Sequence, residues 1–334
     1  MTSLRGTINF ITDYIRIKIG LSSPMNLVVF VSGKCNLHCR HCFWWKNKPH
    51  EEMTVSQFET LSKTIKKRLN VLHITGGEPM LRNDIAEICA IFAANNHPKN
   101  IVISSNCTLP DMVGRCKAIM DRCKEKAGYE SSFNVNTSLD GLEKFHDFFR
   151  GKGGAFRSTV NSIKALKKAG INVGVCATLT NENTDEIVKI SQFTQKVLGV
   201  PFAIDLVRGK PRIGSVRPPE FDEKYLDLET PFYPMAQKWH TKVKFDILNG
   251  KGKFKCLAGN YNGVIYSNGD LAICELLPPF GNLKETDYNF AKLWKRRPKI
   301  PKGCSCTHGI NITSSMYYSI RTVIDVLKKN IKIF

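Results

Sequence analysis

No apolar run in the chain reaches the roughly 18 residues that a membrane-spanning helix needs. The opening segment, MTSLRGTINFITDYIRIKIG, lacks the charged start, apolar centre and small-residue cleavage site of a secretory signal. Both absences lead to the expectation of a cytoplasmic protein. Twelve cysteines in 334 residues are too few for a disulfide scaffold. In a reducing compartment, clustered cysteines read as metal ligands or catalytic groups. Acid is also scarce, since 29 Asp and Glu stand against 49 Lys and Arg, a formal net charge of +20. That surplus attracts polyanions without choosing among nucleic acid, an acidic membrane surface and anionic substrates. Its densest stretch, KLWKRRPKIPK at 292–302, holds six basic residues and no acid, and reads equally as a solvated loop. There are no internal repeats and no low-complexity tract. What remains is a globular composition, 42% hydrophobic and 10% aromatic, sufficient for one large or two smaller domains with a sizeable core.

Strand-like and helix-like stretches alternate through the first two thirds. Strands are expected at NLVVFV (26–31), VLHIT (71–75), NIVISS (100–105), FNVNTSL (133–139), NVGVCATL (172–179) and FAIDLV (202–207). Helices are expected over 54–68, 83–95, 110–126, 155–169 and 183–197. Apolar strands separated by helices imply parallel βαβ units, in an α/β fold whose chemistry collects at the carboxyl ends of the strands. Residues 208–240 are rich in Pro, Gly and Arg and read as a linker or lid. From about Lys242 the period is short: VKFDIL, then GVIYSNGDLAICE, whose SNGD turn suggests a hairpin. Both ends are amphipathic. Leu4, Ile8, Ile11, Ile15 and Ile19 recur at helical spacing, as do Met316, Ile320, Val323, Ile324 and Leu327, with Lys328, Lys329 and Lys332 following. Packing onto the barrel is the first reading of these helices. An interfacial membrane helix with a basic flank is the other.

The chemistry gathers in GKCNLHCRHCFWW, which places Cys35, Cys39 and Cys42 directly after the first strand. Three thiols so close suggest one bound centre, although zinc and iron–sulfur sites normally take four protein ligands. A structural zinc site completed by His38 or His41 is one solution. The C-x3-C-x2-C spacing followed by Phe43, however, closely resembles the radical S-adenosylmethionine (radical SAM) enzymes. TGGEP, with Gly76, Gly77, Glu78 and Pro79, stands where that family has its GGE motif. SSN ending at Asn106, SLDG with Ser138 and RGKGGAF with Arg150 resemble later family segments, in order, over about 26–208. The resemblance implies a partial (β/α)6 TIM-like barrel. Cys35, Cys39 and Cys42 would hold a 4Fe-4S cluster with one iron open to S-adenosylmethionine. Phe43, Gly76, Gly77, Glu78, Pro79, Asn106, Ser138 and Arg150 would line the cofactor, with Ser138 and Arg150 near its ribose or carboxylate. Reductive cleavage to a 5′-deoxyadenosyl radical and abstraction of a substrate hydrogen would follow. Cys107 stands where the family usually has Gly. A thiol at the barrel mouth could return a hydrogen atom to a substrate radical, or be only a tolerated small residue.

Cys256 to Cys274, with Gly269 five residues before the second cysteine, resembles half of a SPASM or twitch extension, and Cys304 and Cys306 complete the outline. The resemblance implies a small C-terminal iron–sulfur domain with an auxiliary 4Fe-4S cluster on Cys256, Cys274, Cys304 and Cys306. In CSCTHGI, Ile310 replaces a further cysteine of a related pattern, and His308 is a substitute ligand. A zinc ribbon-like site remains the alternative. The expected division is an amphipathic segment at 1–24, the barrel at 25–210, a linker or lid at 211–241, the SPASM/twitch-like domain at 242–312 and an amphipathic helix at 313–334. Arg208, Arg212 and Arg217 suit carboxylate or phosphate. With the charge surplus they suggest an anionic small-molecule or lipid-linked substrate that is oxidised, epimerised or joined by a new bond. Peptide maturation is the alternative, weakened by the lack of a leader-binding domain before the barrel. A flavodoxin- or ferredoxin-type electron donor is implied, and peripheral attachment to an anionic membrane surface is an option. A zinc-containing RNA-binding protein is the reading from another class, but no aromatic RNA-binding segments are recognisable, so nucleic acid is not expected.

Overall fold

Six parallel strands follow one another across the sheet in chain order. They are β1 (Asn26–Ser32), β2 (Val71–Gly76), β3 (Asn100–Ser104), β4 (Ser132–Thr137), β5 (Asn172–Leu179) and β6 (Phe202–Leu206). The structure is a computed structural model that describes residues 4–20, 23–46, 51–66, 68–228, 237–304 and 306–319. The helices between strands are α2 (Val55–Thr64), α3 (Ile85–Asn96), α4 (Met112–Ala127), α5 (Glu143–Arg150), α6 (Ala155–Lys168) and α7 (Glu186–Gln192). Each has a local cause. Thr54 and Gln57 form a capping box on α2. Gly128 closes α4 in the left-handed conformation, where glycine has no Cβ penalty. α5 was not expected from the sequence, because its eight residues are too few to establish a period; it ends at Gly151.

From the sequence the strands are expected as apolar segments. In most of them the structure shows alternation. In β5, Val173, Val175, Ala177 and Leu179 are buried against the helices, while Gly174, Cys176 and Thr178 on the other face are only half-buried. In β2 the same holds for Leu72 and Ile74 against His73 and Thr75. The second face of the sheet is thus a polar lumen containing His73, Ser104, Asn136, Cys176, Thr178 and Asp205. β1 differs: Val28 and Phe30, on its lumen side, are buried with Val264, Tyr266 and Ala272.

The later segment continues the same sheet. β7 (Asn262–Ile265) pairs in parallel with β1, and β8 (Asp270–Ala272) and β9 (Gly281–Asn282) follow antiparallel. The SNGD turn makes the expected hairpin between β7 and β8. VKFDIL, read as short-period, instead lies in a helix, α8 (Gln237–Leu248). Its alternating apolar residues fit either structure, and tertiary contact decides. Thr241, Lys244 and Phe245 share the buried face, and Lys244 Nζ reaches the Ile204 carbonyl of edge strand β6 at 2.7 Å. α9 (Phe290–Trp294) and α10 (Gly309–Tyr317) complete the described elements. The expected C-terminal amphipathic stretch beyond Ser319, with Ile320, Val323, Ile324, Leu327 and the three following lysines, lies outside the described residues.

At the other end, α1 (Leu4–Lys18) packs through Phe10 and Ile17 onto Leu257, Tyr261 and Tyr318. Of the isoleucine stripe expected to face the barrel, Ile11 packs on this cluster and the other three lie on the opposite side. Ile8, Ile15 and Ile19 are 54%, 51% and 57% exposed. Aromatic partners explain the choice, since Phe10 stacks on Tyr318 with ring centres 5.3 Å apart.

Candidate cofactor site at the strand ends

The thiol loop leaves β1 and is held at both ends. Ser32 Oγ and Gly33 N donate to Glu52 Oε1 at 2.8 and 2.9 Å. Further along, His38 N and Arg40 N donate to the carbonyls of Arg150 and Phe149 at the end of α5. The end of β2 comes in underneath: Gly77 N donates to Ser32 O at 2.8 Å and Glu78 N to Lys34 O at 2.7 Å. This approach is why two glycines are needed. Gly76 has φ +148°, and a Cβ on Gly76 or Gly77 would overlap the carbonyl oxygen of Ser32 or Lys34. The glycines expected to line the cofactor thus approach the backbone of the thiol loop.

Glu78 is buried and fully engaged. Ser105 Oγ and Met80 N donate to its Oε1 at 2.8 and 3.0 Å, and Asn106 N donates to Oε2 at 2.7 Å. Burial raises its pKa, and these donors oppose the shift. Its carboxylate therefore clamps the loop after β3. Asn106 is a second clamp, donating to Asn36 Oδ1 of the thiol loop at 2.8 Å. Pro79 opens the short turn Pro79–Leu81, and Ser138, half-buried, follows β4. Cys107 does not face the mouth: it is wholly buried in the core shared by strands and helices, and burial pushes its thiol up to about 12. The half-buried lumen thiol is Cys176, on β5.

Asp140 follows β4, at the strand-end mouth where the sequence places it without assigning it a role. It is completely buried; Arg150 Nε donates to its Oδ2 at 2.6 Å and Thr178 N to Oδ1 at 2.8 Å. Arg150 Nη1 lies 3.7 Å from Cys39 Sγ. Arg150 therefore turns to a thiol of the triplet, and its Nη2 is buried without a partner. Burial pushes Cys39 up to about 11, a rise the Arg150 charge opposes, and burial raises Cys35 and Cys42 too. Neither histidine completes a zinc set. His38 is exposed, and His41 stacks on Phe149 with centres 4.8 Å apart. Among the described residues, no three Cys, His, Asp or Glu side chains converge on a single-ion site. A donor set of three thiols, with a buried cation whose Nη2 is unsatisfied beside one of them, fits a 4Fe-4S cluster with one open iron better than a closed zinc site. Trp44 and Trp45, whose Nε1 atoms are also buried and unpartnered, close one flank.

The later thiols influence one another electrostatically, without three of them converging on a single-ion site among the described residues. Burial raises Cys256 to about 12, and the neighbouring thiols of Cys306, Cys274 and Cys304 add to that rise. Asn311 Nδ2 lies 3.4 Å from Cys274 Sγ. His308 turns elsewhere, its Nε2 3.4 Å from Glu275 Oε2. Glu275 is held well below the usual carboxylate range: burial alone would raise it, but Arg208 and then His308 outweigh that. Arg208 Nη2 donates to Glu275 at 3.1 Å, Nη1 lies 3.5 Å from Asp205, and the guanidinium sits 5.3 Å from the Phe43 ring centre. It therefore bridges the residue after Cys42 and the residue after Cys274. Arg212 lies over Trp45, and Arg217 is exposed.

These loops lie where the comparisons with known proteins match. The family model of the radical SAM superfamily matches residues 29–194. The pre-heme d1 synthase of Dinoroseobacter shibae is 28% identical over 177 residues, 52% of this chain and 41% of that protein. The antilisterial bacteriocin subtilosin biosynthesis protein AlbA of Bacillus subtilis is 26% identical over 304 residues, 84% of this chain and 64% of that protein. The chain thus spans less than two thirds of the length of these two relatives. Streptococcus suis SuiB shares the fold, with a TM-score of 0.57 at 19% identity over 84% of this chain and 68% of that one. That coverage extends the likeness beyond the barrel, into the C-terminal region with its second group of thiols. The matched family segment starts inside β1, takes in the thiol loop, the Gly-Gly-Glu turn and the Asp140–Arg150 pair, and ends just after α7: the chain belongs to the radical SAM superfamily.

Proposed function

We propose that this chain is a radical SAM enzyme that modifies a peptide substrate, with Cys35, Cys39 and Cys42 holding a 4Fe-4S cluster and Cys256, Cys274, Cys304 and Cys306 holding an auxiliary one. The observation that carries the first assignment is the three-thiol loop with the Asp140–Arg150 pair against Cys39. A cluster bound there with S-adenosylmethionine supplies reductive cleavage of the sulfonium and hydrogen-atom abstraction from substrate. The protein's own residues prepare the place. Arg150 holds positive charge beside Cys39 and favours its thiolate, as ligation requires. Asp140 keeps Arg150 oriented and charged. Glu78 and Asn106 tie the loops after β2 and β3 to the thiol loop, so the donors keep their spacing. The polar lumen, with His73, Ser104, Asn136, Cys176 and Thr178, is the space where a substrate segment would lie.

Peptide is favoured over an anionic small molecule for two reasons. The linker arginine nearest the lumen, Arg208, is already engaged by Asp205 and Glu275. Relatives that match most of this chain include AlbA, named for subtilosin biosynthesis, SuiB, whose structure bound to precursor peptide SuiA is similar at a TM-score of 0.58, and an AdoMet-dependent heme synthase; two of the three are named with a peptide product or substrate. Anaerobic reconstitution tests the cluster assignments. About eight irons per chain are expected, falling to about four in Cys256→Ala/Cys274→Ala. Reduced protein with S-adenosylmethionine yields 5′-deoxyadenosine, and Cys39→Ala abolishes it. Zinc alone in the purified protein would end the reading. For the substrate, deuterium transfer into 5′-deoxyadenosine from a peptide encoded beside this chain supports peptide maturation; transfer only from a small anionic molecule overturns it.

A further inference from the structure

α1 has two apolar faces, and the described residues of the protein cover one. With about 100° between successive residues, Ile8, Ile15 and Ile19 fall within an arc of about 40°. Phe10 and Ile17, which carry the packing, lie about 180° away. Arg16 and Lys18, both exposed, flank the isoleucines at about 80° on either side. Asp13, the acid in this helix, is half-buried toward the protein-facing side.

We propose that this face of α1 docks on an anionic lipid surface, its three isoleucines in the headgroup–acyl boundary and Arg16 and Lys18 against lipid phosphates. An apolar stripe bordered on both sides by cations is the pattern of an interfacial helix. Charge complementarity argues against a second copy of the chain: two-fold pairing on this stripe would set cationic borders against each other. The fold supports the orientation. α1 lies against Tyr261, whose carbonyl accepts from Met25 N at 2.8 Å, at the start of β1 and β7. That is the end opposite the thiol loop, so docking leaves the strand-end mouth free. The proposal does not rest on the radical reading, because neither the helix nor its partners touch the cysteine triplet.

Flotation of the full chain with vesicles tests it. Binding is expected to phosphatidylcholine–phosphatidylglycerol vesicles at low salt, weakening as salt rises, and not to phosphatidylcholine alone. Ile8→Ser/Ile15→Ser/Ile19→Ser and Arg16→Glu/Lys18→Glu should each lower partitioning by about tenfold or more, with unchanged thermal unfolding and unchanged 5′-deoxyadenosine yield. No flotation of the wild-type chain on anionic vesicles overturns the proposal, as does a triple-serine variant that floats as well. A wild-type dimer that the triple-serine variant converts to monomer, without vesicle binding, identifies a second copy as the occupant and also overturns it.

Discussion

At Arg150 one guanidinium serves a buried carboxylate and a buried thiol. Removing it strands Asp140, which is wholly buried, so Arg150→Met should cost about 3–5 kcal/mol. Thermal unfolding reads the loss, and iron per chain should fall with it; Arg150→Lys restores charge but not the fork, and should recover stability only in part. The glycine pair makes a second prediction. Gly76→Ala adds a Cβ against the Ser32 carbonyl at φ +148°, and should cost about 1–3 kcal/mol by chemical denaturation. Much of this was legible in the sequence as residue identity: the three cysteines, the Gly-Gly-Glu turn, Asn106 and Arg150 all lie at the strand ends. Their partners were not. That Glu78 would be saturated by Ser105, Met80 and Asn106, or that Arg150 would face Cys39, depends on loops brought together from distant parts of the chain.

Among the elements, α8 and β6 meet through a buried lysine. Lys244 is 1% exposed and donates to the Ile204 carbonyl and to Asp205, the latter at 2.8 Å. Burial alone would raise Asp205, but Lys244, then Arg208, hold it at about 2. A carboxylate depressed below its ordinary value contributes stability above about pH 4, and that contribution is lost as pH falls toward 2. Lys244→Met should therefore lower stability at neutral pH by about 3 kcal/mol and flatten its fall between about pH 4 and 2, followed by denaturant midpoints across that range. Sequence period located the βα units because each helix and strand is amphipathic on its own. It misread α8, whose alternating residues satisfy two periods, and α1, whose two apolar faces compete. Only strand orientation decides that Cys176 faces the lumen.

Across the whole molecule, β7 beside β1 makes one sheet of what the sequence read as two units. Arg208 spans the gap, from the Phe43 ring to Asp205 and Glu275. Arg208→Gln and Glu275→Gln should each destabilise, and the double variant by less than their sum, with a coupling of about 0.5–3 kcal/mol in a denaturation cycle. Additive losses would mean that the pair does not join the halves. The sequence alone determined the chemistry on offer: two groups of thiols, alternating strands and helices, glycine turns and a strong positive charge. These are properties of neighbouring residues, and short-range rules read them. Only the tertiary structure decided which thiol Arg150 faces, which face of α1 packs on the protein and where β7 docks. Each of those outcomes is set by burial and hydrogen bonds between segments far apart in the chain, which local pattern does not encode.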